Sequence, residues 1–215
     1  MIRFFTPLRL ALLVALAATT LAGFILVPPG AQLPIHWGLS GAPDAFAPRD
    51  LALLLPAAVV VLVWSVFLLV ARTAGPGDLA AGRYVTSVSL TALTGVFLLL
   101  EVLFVLIGTG APVNVLQALA LAFGVLLLVL GNAMPKSQPN SFAGIRMPST
   151  LRDPANWQAT HRLGGVLTIA GGLVLLAAAI LAPRDQLAIW LIACVSMPPL
   201  AAIAYSLLLA RRRGQ

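Results

Sequence analysis

Residues 131–165 read GNAMPKSQPNSFAGIRMPSTLRDPANWQATHRLGG and form the longest polar interruption in an otherwise lipid-soluble chain. Asn132, Lys136, Asn140, Arg146, Arg152, Asp153, His161 and Arg162 fall there between two apolar runs. Proline lacks an amide N–H and blocks the turn before it, so the prolines and glycines of this stretch exclude one continuous helix. A shaped loop lying against a membrane face is expected.

On either side the chain is built to dissolve in lipid. Of its 215 residues 60% are hydrophobic and 9% charged, with a mean hydropathy of +1.03. Soluble domains carry about a quarter charged residues. Six apolar runs approach or exceed the roughly 20 residues that cross a bilayer as helix. They are continuous in Leu, Ala and Val, without the alternation of a membrane strand. The expected fold is an all-α polytopic membrane protein, a single bundle of six transmembrane helices over 1–215. The spans fall near 7–27, 51–71, 85–108, 112–131, 163–182 and 187–210. Residues 1–130 make an N-terminal module with one long loop at 28–50, and 131–215 a C-terminal module with the other at 132–162.

Local signals sharpen the ends. Thr6 before Pro7 reads as a helix cap and first residue, and the run that follows is long for a cleaved signal peptide. Asp50 reads as the cap of span 2 with Pro56 near its first turn, and residues 72–84 read as a polar link. Pro112 opens span 4, and Asp153–Pro154 starts a short helix (ANWQATHR) leading into span 5. Pro198–Pro199 predicts a kink in span 6.

Charge sets the orientation. With the N-terminus inside, Arg3, Arg9, Arg72, Arg83, Lys136, Arg146, Arg152, Arg162 and Arg211 to Arg213 lie on the inner side, eleven of the thirteen basic residues. Only Arg49 and Arg184 lie outside. The positive-inside bias then places both termini and the 132–162 loop in the cytoplasm, so the expected location is the cell (cytoplasmic) membrane. It also accounts for the net charge of +7 without a nucleic-acid partner. The bilayer is the partner that composition demands.

Candidate chemistry is sparse. Glu101, the one acid well inside a span, should face the bundle interior. Ser87, Thr94, Glu101 and Gly108 recur every seven residues, with Thr91 on the same helical face, which makes one polar stripe. In an antiparallel hairpin Asn114 and Gln117 approach the depth of Glu101. Two readings follow: a structural carboxylic acid joining spans 3 and 4, or the ionisable group of a small proton-coupled transporter. Each module has a long loop after its first span, which fits inverted transporter repeats. His36 and His161 lie on opposite faces and cannot share a metal ion. Ser149, Asp153 and His161 share a side but lack a nucleophile elbow, and no phosphate-cradling GxxxxGK[ST] is present. No catalytic, cofactor or metal residue is assigned, and the chain does not read as an enzyme. Cys194 has no partner for a disulfide.

Two helical patterns remain. Gly164, Thr168 and Gly172, four residues apart, let another helix approach closely and read as internal packing. Trp157 and His161 share a helix face, with Trp157 expected at the headgroup level. Arg146, between Gly144 and Pro148, is the sharpest functional suspect of the loop, with an anchor to lipid phosphate or helix carbonyls as the plainer reading.

The loop resembles that of the SdpI family of bacterial membrane immunity proteins. The pattern is Gly131–Asn132, Pro135–Lys136, Asn140, Gly144–Ile145–Arg146, Pro148, Thr150–Leu151, Trp157 and Thr160–His161–Arg162, running into Gly164–Gly165. Met147 and Ser149 stand where that pattern has threonine and tryptophan. The outer loop resembles the N-terminal module of unassigned function that accompanies the family, through Leu33–Pro34, His36–Trp37, Gly41, Pro43–Asp44 and Arg49. The resemblance implies protection against a secreted toxin peptide at the membrane and, in one branch, capture of a small cytoplasmic repressor that controls the immunity genes. It points to Asn140, Arg146, Trp157, His161 and Arg162 for the cytoplasmic face and to His36, Trp37 and Asp44 for the outer face.

Overall fold

The computed structural model describes residues 4–213. Within them six helices are long and apolar enough to cross a membrane: α1 (Pro7–Leu26), α2 (Arg49–Thr73), α3 (Pro76–Gly108), α4 (Val115–Ala133), α6 (Pro154–Leu181) and α7 (Leu187–Arg212). The short helix α5 (Pro148–Arg152) lies in the long loop before α6. The protein is a multi-pass, mainly helical membrane protein. An even number of crossings puts both chain ends on one side, here termed the terminal face. Outward-facing Val14, Ile25, Ile180 and Leu181 are 68, 74, 71 and 81% exposed, a surface that only lipid can cover at low cost.

The element ends follow their chemistry, with corrections to the sequence reading. Thr6 Oγ1 accepts the Arg9 amide at 3.3 Å and caps α1, as expected. Asp50 does not cap α2. It lies in the first turn, its carboxylate 2.7 Å from Arg49 Nε, and Pro56 falls inside the helix. The expected link at 72–84 is almost wholly helical: α2 runs to Thr73, and α3 begins at Pro76 with Asp78 in its first turn. A proline at the start and an acid in the first turn suit a helix N-terminus. Asn114, not Pro112, sets the start of α4, its side chain accepting the Gln117 amide at 3.1 Å. Asp153 caps α6 through the Ala155 amide at 2.8 Å, and the helix runs unbroken through ANWQATHR into the bilayer. Pro198 and Pro199 lie within α7. Arg3 falls outside the described residues.

The outer loop carries a structure the sequence reading missed. Gln32–Trp37 (β1) and Pro43–Pro48 (β2) pair antiparallel, with Leu33 opposite Ala47 and Trp37 opposite Pro43. Three prolines in the two strands argue against a sheet, yet each strand here is an edge, where a missing N–H is tolerated. Leu33 and Ala47 turn inward onto Val27, Ala52, Leu53 and Phe104, which seats the hairpin on the ends of the helices.

The helices pack as two groups of three, α1–α2–α3 and α4–α6–α7, joined along α3 and α4. Leu16, Val60, Trp64 and Leu90 centre the first group, and Ala120, Leu127, Leu175, Ala179 and Cys194 the second. The closest approach is between α4 and α6, where Gly131 meets Gly165 and Gly124 meets Gly172. A Cβ on Gly131 would stand 2.8 Å from the Gly165 carbonyl oxygen, and one on Gly172 2.8 Å from that of Gly124. Gly172 and Gly164, read from sequence as packing positions, thus lie inside the protein, with Gly164 against Met134 and Ala202. The obstructing atoms are backbone and cannot rotate aside, so Gly131→Leu should destabilise by about 3 kcal/mol or more, beyond ordinary overpacking. Thermal unfolding in mild detergent measures this. An unchanged transition would mean that the two helices do not meet at these glycines.

Candidate functional site

The loop between α4 and α6 is ordered by buried polar side chains. Asn140 is 3% exposed. Its Oδ1 accepts the Phe142 and Ala143 amides at 3.1 and 2.7 Å, and its Nδ2 donates to the Gln138 and Ala143 carbonyls at 2.8 and 3.1 Å. A short polar side chain that makes four backbone bonds replaces the ladder which helix or strand would supply. His161 is buried, with Nδ1 donating to the Trp157 carbonyl at 2.8 Å and Nε2 accepting the Ile145 amide at 3.0 Å. That pattern requires the neutral ring with its hydrogen on Nδ1. The Trp157 ring stacks on His161 at 4.2 Å between centroids, and its Nε1 donates to the Ser137 carbonyl at 3.1 Å. Trp157 therefore sits in the protein interior, correcting the expectation of a headgroup-level indole.

Gly144 explains why this loop needs a glycine. Its φ is +102°, a region that costs L-residues energy. A Cβ there would collide with His161 Nε2. Thr150 Oγ1 then accepts the Met147 amide at 2.9 Å and donates to the Ile145 carbonyl at 2.8 Å. Asn156, Thr160, Ser149 and Ser206 form a further buried network: Asn156 Oδ1 accepts from Thr160 and Ser206, at 2.9 and 3.0 Å, and Ser206 Oγ lies 2.7 Å from Ser149 Oγ. Ser149, a departure from the family pattern, thus ties the loop to α7. The sequence reading passed over Asn156 and Ser206. Their one signal was an amide on the Trp157–His161 helix and a serine in an apolar run.

Arg146 and Arg162 are the two exposed members of the expected cytoplasmic set. Arg146 Nη1 donates to the Ser141 carbonyl, which holds the side chain along the loop surface. Arg152 is exposed beside them, and Asp153 pairs with Arg213. Burial pushes the Asp153 carboxyl up, but the hydrogen bonds from Arg213 and from the Ala155 and Asn156 amides outweigh it and hold it low. The carboxylate stays ionised, so this tie holds at neutral pH and is lost only as pH falls through the lowered value. The loop also reaches the other helix group. Phe142 packs on Gly82 of α3, Ser141 Oγ donates to Asp78, and the Gln138 amide donates to the Ala81 carbonyl at 3.4 Å.

The α3 polar stripe is real, but it faces α1 and α2 instead of α4. Arg9, counted from sequence only as a flanking charge, is 2% exposed. Its Nε donates to Thr91 Oγ1 at 2.7 Å, Nη2 to the Ser87 carbonyl at 2.6 Å and Nη1 to the Phe4 carbonyl at 3.1 Å. Trp64 Nε1 of α2 donates to Thr94 Oγ1 at 3.1 Å. Glu101 is fully buried, its carboxyl near the Thr20 hydroxyl of α1 but out of hydrogen-bonding alignment. Gln117 belongs elsewhere: its Nε2 donates to the Ala179 carbonyl of α6 at 2.9 Å. The expected pairing of Glu101 with Asn114 and Gln117 is absent, because α3 turns its other side to α4.

On the hairpin face His36 Nδ1 lies 2.5 Å from Asp44 Oδ1, both exposed. Trp37 instead packs inward, against the cluster of Leu116, Leu187 and Ala188 as well as the one beneath β1. Beside it opens a cleft of about 670 Å³, walled by Pro34, Trp37, Pro43, Leu116, Gln117 and Arg184. The described residues hold no cluster of three or more His, Cys, Asp or Glu that could bind a metal ion.

Comparison with known families decides the identity of the loop and the two helices after it. Residues 136–208 match the model of the SdpI/YfhL protein family. The SdpI match begins at Lys136, takes in the ordered loop with α5 and α6, and ends at Leu208 in α7. No curated protein and no solved structure matches the chain.

If the buried side chains order this loop, Asn140→Ala and Gly144→Ala should expose it. Each orphaned backbone amide costs about 1–3 kcal/mol. Trypsin added to detergent-purified protein should then cut after Arg146 and Arg152 at least several-fold faster than in wild type. Equal cleavage rates would show a loop that is open already.

Proposed function

We propose that the protein guards the membrane of a bacterial cell against a secreted toxin peptide and reports on that toxin across the bilayer. The family assignment of residues 136–208 carries this reading. The architecture supports a division of labour. The hairpin face offers a cleft of about 670 Å³ with Trp37 and Arg184 on its walls, a mixed aromatic and cationic surface suited to a peptide. The terminal face offers an ordered loop that presents Arg146 and Arg162 to a partner. Ten of the twelve described basic residues lie toward this face, which the positive-inside bias assigns to the cytoplasm.

In this reading a cytoplasmic repressor meets Arg146 and Arg162 directly. Asn140, Trp157 and His161 act through the loop they hold in shape. His36 and Asp44 stand at the exposed end of the hairpin, where they can meet the toxin first. The carrier reading rests on Glu101 and on the matching loop order of the two modules, and the full burial of Glu101 gives its carboxyl no open path to either face.

The test is survival. A sensitive host is challenged with culture supernatant of the source organism that kills cells carrying an empty vector. Expression of the wild type should restore growth, Trp37→Ala should lose most of that protection at equal membrane abundance, and Arg146→Ala should keep it. Equal killing with and without well-expressed wild type would overturn the proposal.

A further inference from the structure

The seam between the two helix groups is open on its lipid side. Ala92, Gly95 and Leu99 of α3 face Ala118, Ala122 and Val125 of α4 across a groove of about 540 Å³. A second opening of about 350 Å³, lined by Ser87, Val88 and Thr91, shares Ala92 and Val129 with the first and carries it toward the terminal face. From Ser87 to Leu99 is about 18 Å at the helical rise of 1.5 Å per residue. A bilayer's hydrocarbon core is about 30 Å thick, so the groove runs about the depth of one leaflet. Its walls are apolar except for Ser87 and Thr91 near the terminal face, whose polar atoms are engaged by Arg9, and a Cβ on Gly95 would meet nothing within 4 Å.

The groove's mouth is polar. One turn beyond Val88 and Val129 lie Tyr84 and Asn132, and Lys136 bridges them. Lys136 Nζ donates to Tyr84 Oη at 3.3 Å and to Asn132 Oδ1 at 3.5 Å, and stands 4.9 Å over the Tyr84 ring. All three are exposed. An ammonium, a phenol hydrogen and an amide thus gather where a headgroup lies, while Asp78, the acid of the first turn of α3, is engaged by Ser141. A one-leaflet apolar trough ending in a cation and hydrogen-bond donors matches a single lipid: chain along the trough, phosphate at the mouth.

We propose that the α3–α4 seam binds one anionic phospholipid from the terminal-face leaflet, its acyl chain between Gly95 and Ala122 and its phosphate on Lys136 and Tyr84. The lipid fills the lipid side of the α3–α4 joint between the two helix groups. This inference is independent of the immunity reading.

Native mass spectrometry of protein released from nanodiscs of equal phosphatidylglycerol and phosphatidylcholine tests it. Wild type should retain one phosphatidylglycerol, favoured at least several-fold over phosphatidylcholine. Gly95→Leu, which fills the trough in open space, and Lys136→Gln should each cut that retention at least several-fold. Ile180→Ala, on an exposed face elsewhere, should not, and millimolar inorganic phosphate should not displace the lipid. Equal retention of the two lipids by wild type would overturn the proposal. So would retention unchanged in both Gly95→Leu and Lys136→Gln, and displacement by phosphate with Gly95→Leu silent would show a site for free phosphate instead. If Gly95→Leu alters thermal unfolding, Lys136→Gln carries the same comparison.

Discussion

The backbone contact of Gly131 with Gly165 closes the base of the central loop. These two residues are also the first and last of the stretch whose polarity interrupts the chain. Without Cβ atoms, α4 and α6 meet main chain to main chain, and the 33 residues between the two glycines leave and return at one point. A loop so closed at a membrane face still has to satisfy its own amides, because neither a neighbouring strand nor a full helix is at hand. Asn140 and His161 meet that demand for Phe142, Ala143 and Ile145. The arginines Arg146, Arg152 and Arg162 remain outside, exposed.

Arg9 does similar work for the first helix group. A guanidinium buried at the end of α1 needs several acceptors, and it finds them in Ser87, Thr91 and the Phe4 carbonyl. Together with the Trp64–Thr94 bond, it fixes the rotation of α3, which decides where Glu101 points. The same rotation leaves the small residues Ala92 and Gly95 turned to the α4 seam. Loop contacts from Phe142, Ser141 and Gln138 onto α3 then tie the second helix group to the first on the terminal face.

Much of the membrane fold was legible from hydropathy, since the length and continuity of an apolar run report a crossing directly. Arginine placement supports a cytoplasmic side for the long loop, which is our proposal. Legibility stopped where one chemical group has two uses. Arg9 reads equally as a flanking charge or a buried clamp, and only the neighbouring helix distinguishes them. Trp157 fits an interfacial belt as well as an interior stack. The polar stripe of α3 was visible, but periodicity fixes a face and not which neighbour covers it. The hairpin was hidden because prolines in both strands oppose a sheet, and a two-stranded ribbon made of edges tolerates them. In the candidate site, Asn140 and His161 stood out by type, whereas Asn156 and Ser206 became meaningful only once α6 and α7 lay side by side.

We propose that the segment between α4 and α6 is a closed, ordered platform on the cytoplasmic side. Single cysteines in a Cys194→Ala background, probed with a membrane-impermeant maleimide, test it most directly. Arg146→Cys should react only after the cells are permeabilised, Leu39→Cys of the hairpin should react in intact cells, and Ser137→Cys should stay protected even after permeabilisation. Reaction of Arg146→Cys in intact cells, or of Ser137→Cys as fast as Arg146→Cys, would contradict the account.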